Sequence, residues 1–440
     1  MKEEYILQIS NTKNESENKA EEVWNKRVVL NGIVTLNKDY IFKNCDFEYG
    51  KSDSRIINNS SLTFEHCRFN CLGIQDDLFF IDSMDGSKTS FTSCDFVVCE
   101  QLLRCRANNA EVSIYDSKMR CPGERVVDIL MGKGTQVILG NLEINVEENV
   151  KYDDKTIVFR IARVTQSVQP LINNVNIVAK RFVSNVKWFL CMGGEVTGGR
   201  FVNISSVFNG VNKVNNACFE NCSQIINWTI PVVRKYGISN GTTSWINENI
   251  DILNSIFVNC EKNIGLGYLS KVDNCEFREC TAPMIVTSIH GGVTINKNRF
   301  VNCKLTSDQY SAFIMLSDYQ DRMSKISLVS NCQVDNCKLE CNQFVRLILN
   351  TNSGRKVVVR KSLKLENNKF SNSIREISNL IDDKISVGSL TYNLVEGLNS
   401  CSCEERYEKS AYDNVTAMQG KDEHRQDNNT ADGGNFDEIL

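Results

Sequence analysis

One theme recurs along most of this chain and limits what it can fold into. An apolar residue, two intervening positions, a small or polar residue, Cys, one polar residue and then Phe or an aliphatic appear in "YIFKNCDFEYG" (40–50), "LTFEHCRFNC" (62–71), "TSFTSCDFVVC" (89–99) and "KVDNCEFREC" (271–280). Other copies keep the apolar phase and lose the cysteine. The second apolar position falls at Phe47, Phe69, Phe96, Met119, Ile144, Ile177, Phe201, Phe219, Phe257, Phe277, Phe300, Val334 and Phe370. Most gaps are 18 to 27 residues, and a few of 33 to 38 leave room for an inserted loop. A period in the twenties is the mark of a solenoid, in which a short coil buries its apolar face by stacking on the next.

The coil is built of strands. In "CDF" and "CEF" the Cys and Phe are two apart, so on a strand they share a side while the acid between them points away. The segments are short, rich in Val, Ile and Phe, and punctuated by Asn, Asp, Ser and Gly. A leucine-rich repeat is excluded, because its regular leucine and asparagine frame is missing. The residue before the Cys position is Asn44, His66, Ser93, Asn274, Asn331 and Asn336, with Asn174, Asn298 and Asn368 in equivalent turns. Asparagine tolerates the left-handed backbone of a sharp turn, and stacked copies can hydrogen-bond from coil to coil.

Roughly ten residues later comes a second apolar strand, as in "DLFFIDS" (77–83), "QLLRCRA" (101–107), "IVFRIAR" (157–163), "KWFLCMG" (187–193), "PMIVTSI" (283–289), "SAFIMLS" (311–317) and "FVRLILN" (344–350). Each coil thus holds at least two strands, and a third is expected. The pattern from about Val28 to Leu394 resembles the right-handed parallel β-helix repeat family, the pectin-lyase-like superfamily. The expected fold is all-β: a right-handed parallel β-helix of roughly 12–13 coils over 28–394, a short cap over 1–27, and a polar, disordered tail over 395–440. Within the cap, "NESENKAEEVWNKR" (14–27) carries polar helix formers with Ala20, Val23 and Trp24 on one face.

Charge is nearly balanced, with 50 Lys and Arg against 54 Asp and Glu, so no overall field draws the chain to nucleic acid. The N-terminus lacks the basic start and apolar run of a secretory signal, and no apolar stretch reaches the ~20 residues of a membrane span. The expected compartment is the cytoplasm, with export by a non-classical route left open. There the 19 cysteines are expected as thiols. Triplets such as Asn203-Ile204-Ser205 read as coincidences of an Asn-rich chain.

Spacings such as Cys67-x3-Cys71 and Cys275-x4-Cys280 superficially resemble zinc half-sites, but a zinc site needs four converging ligands. The chain has three histidines, His66, His290 and His424, and no C-x2-C. The cysteines keep phase with the Phe column, where a small thiol packs well beside an aromatic ring. They are expected in the interior, with no metal and no cofactor; Cys401 and Cys403 lie outside the repeat as an exposed pair.

The resemblance brings pectate lyases and polygalacturonases into view, whose acids sit on the outer face of one sheet. The acid pairs Asp76-Asp77, Asp153-Asp154 and Asp382-Asp383 lie many coils apart, and the N-T-D, G-H-G and R-I-K signatures are absent. The nearest relic is "IHGG" (289–292), and His290 reads as a turn residue. No catalytic residue is assigned. With Phe79, Leu103, Phe159, Phe189 and Phe313 taken as inward, the outward side of the second strand reads Phe80, Arg104, Arg160, Leu190, Trp228, Val286, Ile314 and Arg346. Such a stripe is either covered by the chain's own inserts, such as 231–250, or is an exposed binding face.

The leading expectation is a non-catalytic scaffold that binds a partner protein, or a second copy of itself, along this face. The alternative is a carbohydrate-binding or polysaccharide-degrading protein, and a second alternative is a surface adhesin. A carboxylate cluster on one outer face across adjacent coils would favour the enzyme; a dry, concave apolar and arginine stripe with no acids would favour the scaffold.

Overall fold

The structure, a computed structural model, describes residues 2–7, 20–30, 32–49, 54–71, 78–120, 122–123, 125–148, 152, 156–163, 168–184, 186–191, 193–227, 249–261, 264–267, 269–281, 284–287, 292–304, 313–318, 327–337, 344–350, 363–371 and 389–392. Their strands form three long sheets. Sheet 1 has 14 strands, among them Tyr40–Lys43; sheet 2 has 15, among them Asp46–Tyr49; sheet 3 has 14, among them Arg55–Asn58. The chain visits the three in that order and pairs each strand in parallel with the equivalent strand one coil on. This is a parallel β-helix, with 13 complete three-strand coils between Glu21 and Asn350. The register strings all thirteen residues of the expected apolar column into one line along sheet 2, from Phe47 to Phe370.

What repeats most strictly is the connection from sheet 1 to sheet 2, which is two residues long in every coil after the first. Its first residue has positive φ, as at Asn44, His66, Ser93, Asp116, Asn141, Asn174, Asn216, Asn254 and Asn274. A short amide side chain bears this conformation better than most. It also joins coils: Asn44 Nδ2 donates to Asn25 Oδ1 at 2.5 Å, and Asn274 Nδ2 to Asn254 Oδ1 at 2.8 Å. Two positions differ from expectation. Asn298 and Asn368 sit one residue later, buried in the cysteine slot, while Lys297 and Asn367 take the positive φ. Asn336 belongs to a second left-handed column at the exit of sheet 2, with Asn203, Asn221, Asn259, Glu279 and Asn302.

The slot after the turn holds a small donor in most coils. Cys45 Sγ lies 3.4 Å from its own coil's Lys43 O and 3.4 Å from Val23 O of the coil before. Cys67 repeats this with Glu65 O at 3.4 Å and Phe42 O at 3.3 Å. In other coils a different donor fills it, as where Ser117 donates to Tyr115 O at 2.6 Å and Asn298 Nδ2 to Val272 O at 3.0 Å, while Leu142, Val175, Gly199 and Ala217 leave it without one. A thiol here bridges two coils by reaching one carbonyl of each.

Inside, aromatic rings stack from coil to coil at close to the strand spacing of ~4.8 Å. Phe47 and Phe69 are 4.9 Å apart between centroids, Phe257 and Phe277 4.7 Å, and Phe277 and Phe300 4.9 Å. Rings from sheets 1 and 2 meet edge to face, as Phe64 does with Phe69 at 5.2 Å.

The N-terminal segment departs from its expected helix. Its described part is strand, Glu21–Trp24 in sheet 1 and Lys26–Leu30 in sheet 2, and Glu3–Leu7 pairs with the latter. Val23 alternates inward and Trp24 outward, a period of two that the shared-face helical reading overlooked. At the other end Ser389–Tyr392 pairs antiparallel with Val345–Asn350. The tail 395–440, with Cys401 and Cys403, lies outside the described residues.

Candidate functional site

The connections on either side of sheet 3 vary where the turn between sheets 1 and 2 does not. Within the thirteen complete coils, from sheet 2 to sheet 3 they run from two residues (31–32) to twelve (302–313); from sheet 3 to sheet 1, from two (59–60) to twenty-three (228–250). A rigid sheet edged by variable loops is the usual setting for binding. The outward residues of sheet 3 therefore identify the candidate face.

In register along that face stand Ile57, Asp82, Arg104, Asp128, Arg160, Leu190 and Asn209. Four successive coils thus present acid, arginine, acid, arginine. Arg104 grips Asp82 with two bonds, Nε to Oδ1 at 2.6 Å and Nη2 to Oδ2 at 2.9 Å. Arg160 grips Asp128 in the same way, at 2.6 and 2.5 Å. Arg55 and Arg106 approach these carboxylates at 3.7 Å each. The Asp82 and Asp128 side chains are only 7% and 2% exposed, although they point away from the core. Outward ion pairs elsewhere, such as Lys88–Glu111 on sheet 1 and Arg200–Glu220 on sheet 2, are open to solvent. Phe79 lies beneath the Arg104 guanidinium, 5.4 Å from ring centroid to Cζ. Arg55 Nε is buried with no hydrogen-bond partner among the described residues.

Of the residues expected on this face, Arg104 and Arg160 are its centre. Leu190 faces outward in line with them but is covered, and Val286 is outward and half-buried. Arg346 is in register with Met315. Trp228 lies outside the described residues, as do the insert 231–248, His290 and the acid pairs Asp76-Asp77, Asp153-Asp154 and Asp382-Asp383.

Phe80 and Ile314 are corrections: both are fully buried in the core. Phe80 meets the rings of Phe47 and Phe69 at 6.0 and 6.1 Å, and Ile314 lies in register with the inward Ile285. Sheet 3 is entered through a corner where two successive residues point inward, Phe80 with Ile81, Leu102 with Leu103, Phe313 with Ile314. Strict alternation counted from Phe79 or Phe313 is therefore one residue out of phase.

Asp82 and Asp128 were not singled out in the sequence. Their signal is the phase shared by "IDS", "LRC", "VDI" and "FRI", one charge directly after an apolar residue in four successive coils. The strand Val127–Met131 that carries Asp128 was itself not among the expected second strands.

Among the described residues no group of three or more His, Cys, Asp or Glu side chains is placed to hold a metal ion, and no helix is long and apolar enough to cross a membrane. No protein-family model matches this chain. No curated protein matches it either. Among solved structures, the catalytic domain of GH87 alpha-1,3-glucanase in complex with nigerose aligns over 83% of this chain and 68% of its own, at 10% identity and a TM-score of 0.29. So slight a likeness bears on neither site nor substrate; the fold stands on the strand register.

Proposed function

We propose that this protein is a carbohydrate-binding β-helix, with a glycan chain lying lengthwise on sheet 3 over Asp82, Arg104, Asp128 and Arg160. The observation that supports it is the ladder itself: outward-facing charges that are buried, paired and repeated once per coil in line with the axis. Buried ion pairs are poor sources of stability, because desolvation offsets much of their attraction. Their presence at one place on an outer surface therefore suits recognition.

The row carries one charged group per coil, spaced at ~4.8 Å, which matches a linear polymer of hydroxylated rings better than a compact ligand. Acids within the arginine stripe favour the carbohydrate alternative over the dry protein-binding face. Both oxygens of Asp82 and of Asp128 are engaged by a guanidinium. General acid and base catalysis of glycoside cleavage needs a carboxyl placed to protonate the leaving oxygen. The ladder is arranged to hold a glycan rather than to cut it.

The test is retention of the full-length protein on a panel of immobilised neutral and acidic polysaccharides, with reducing ends measured on the same panel. At least one polysaccharide should retain the protein without gaining reducing ends. The double variant D128N/R160Q, which removes a pair together and leaves no lone buried charge, should weaken retention about tenfold, the equivalent of ~1.4 kcal/mol. Absence of retention across the panel would contradict the reading. New reducing ends that vanish in D128N would replace binding by cleavage.

A further inference from the structure

A second ladder takes no part in that face. Cys222, Cys260, Cys280, Cys303 and Cys337 are buried and occupy the same slot, at the exit of sheet 2, in five successive coils. The residues after the first four, Ser223, Glu261, Thr281 and Lys304, bridge in register, so successive thiols are one coil rise apart, ~4.8 Å. Each sulfur lies close to the cysteine of the coil before: Cys260 Sγ is 3.5 Å from Cys222 N, and Cys337 Sγ is 3.3 Å from Cys303 N. The thiol of Cys303 is drawn below its ordinary value, because Cys280 and Cys337 on either side can both donate to it. Burial pushes its neighbour Cys280 up.

Two familiar fates of clustered thiols do not suit this geometry. A disulfide needs its Cβ atoms at about 3.5–4.5 Å and a torsion near 90°, whereas in-register parallel strands hold neighbouring side chains side by side and a full rise apart. A zinc site needs four ligands converging on one point, and among the described residues none such is placed. What a column offers is a succession of pairs. A pair of parallel thiolates suits a soft cation content with two ligands in line, and copper(I) is one of the ions that thiolate ligands favour.

We propose that this column binds soft, two-coordinate monovalent cations of the copper(I) kind in the gaps between successive thiols. The first cation displaces two thiol protons and forms two metal–sulfur bonds. Each cation in the adjoining gap shares a thiolate and displaces one proton more. Four cations in the four gaps displace five protons, and the column carries a single negative charge whether one gap or all four are filled. Since a buried charge is the main cost, filling is cooperative.

Cys332, in the other thiol column, supplies an internal control. Cys332 follows the turn at Asn331, and its coil neighbours in that slot are Asn298, which accepts from Cys275 N, and Asn368, which accepts from Cys332 N. Cys332 therefore has no thiol partner above or below. The test is a silver(I) titration of the full-length protein carrying C401S/C403S, with bound ions counted by native mass spectrometry. Serine at position 280 keeps a donor in the slot, as Ser117 and Ser255 do in the first column. C280S should lose two silver ions relative to its parent and fill without cooperativity, while C332S loses none. Equal loss in C280S and C332S, or no loss in either, overturns the proposal.

Discussion

At the scale of the residue, the turn and the slot behind it carry the repeat. Asn274 has φ of 56° and bonds Asn254, so N274A loses both the tolerance for that backbone and the bond. It should cost about 1–2 kcal/mol in urea unfolding, while N274G, which keeps the backbone freedom, should cost roughly half as much. Equal losses would place the whole effect in the amide. The slot makes its own prediction. Burial pushes the thiols of Cys94, Cys275 and Cys332 up to about 12, from an ordinary value of about 9. Above pH ~9 the unfolded chain releases these protons and the folded chain keeps them, so stability is full below that pH and falls between 9 and 12. Each thiol contributes a slope of ~1.4 kcal/mol per pH unit. A urea midpoint unchanged from pH 8 to pH 10.5 would contradict it. The Asn and Cys columns were legible in the sequence because stacking repeats the same demand in every coil. The Asp82–Arg104 and Asp128–Arg160 pairs were not, because alternate charges in different coils repeat no single letter.

At the scale of the element, the three corners of the coil obey different rules. The corner between sheets 1 and 2 is fixed at two residues after the first coil, and one more residue there would turn the inward face of the following strand outward. A glycine inserted between Asn274 and Cys275 should therefore prevent native folding or lower the urea midpoint sharply. A glycine inserted between Asp85 and Gly86, in the variable corner after sheet 3, should change stability by less than ~1 kcal/mol. Equal sensitivity would remove the distinction on which the choice of face rests. The same contrast explains what the sequence conveyed. Strands beside the fixed corner were phased correctly through thirteen coils, whereas strands entered through the doubled inward corner, as at Phe80 and Ile314, were misphased by one residue.

At the scale of the molecule, a solenoid is held by nearest-neighbour stacking. Phe277 lies between Phe257 and Phe300, and F277A should cost about 3–5 kcal/mol because the neighbouring coils cannot close on the gap. The ladder on sheet 3 follows a different ledger. R104A strands the buried Asp82 carboxylate and should cost about 3–5 kcal/mol, while D82A/R104A, which removes both charges, should cost much less. The sign of that difference is open to chemical denaturation. The central claim is that sheet 3, and no other surface, holds a glycan. It is tested most directly by comparing polysaccharide affinity in two charge-neutral pairs, D128N/R160Q on sheet 3 and K88Q/E111Q, whose exposed ion pair lies at 2.7 Å on sheet 1. The account predicts about a tenfold loss, ~1.4 kcal/mol, for the first pair and no change for the second. Equal affinities for the two, or a loss confined to the sheet 1 pair, would contradict it.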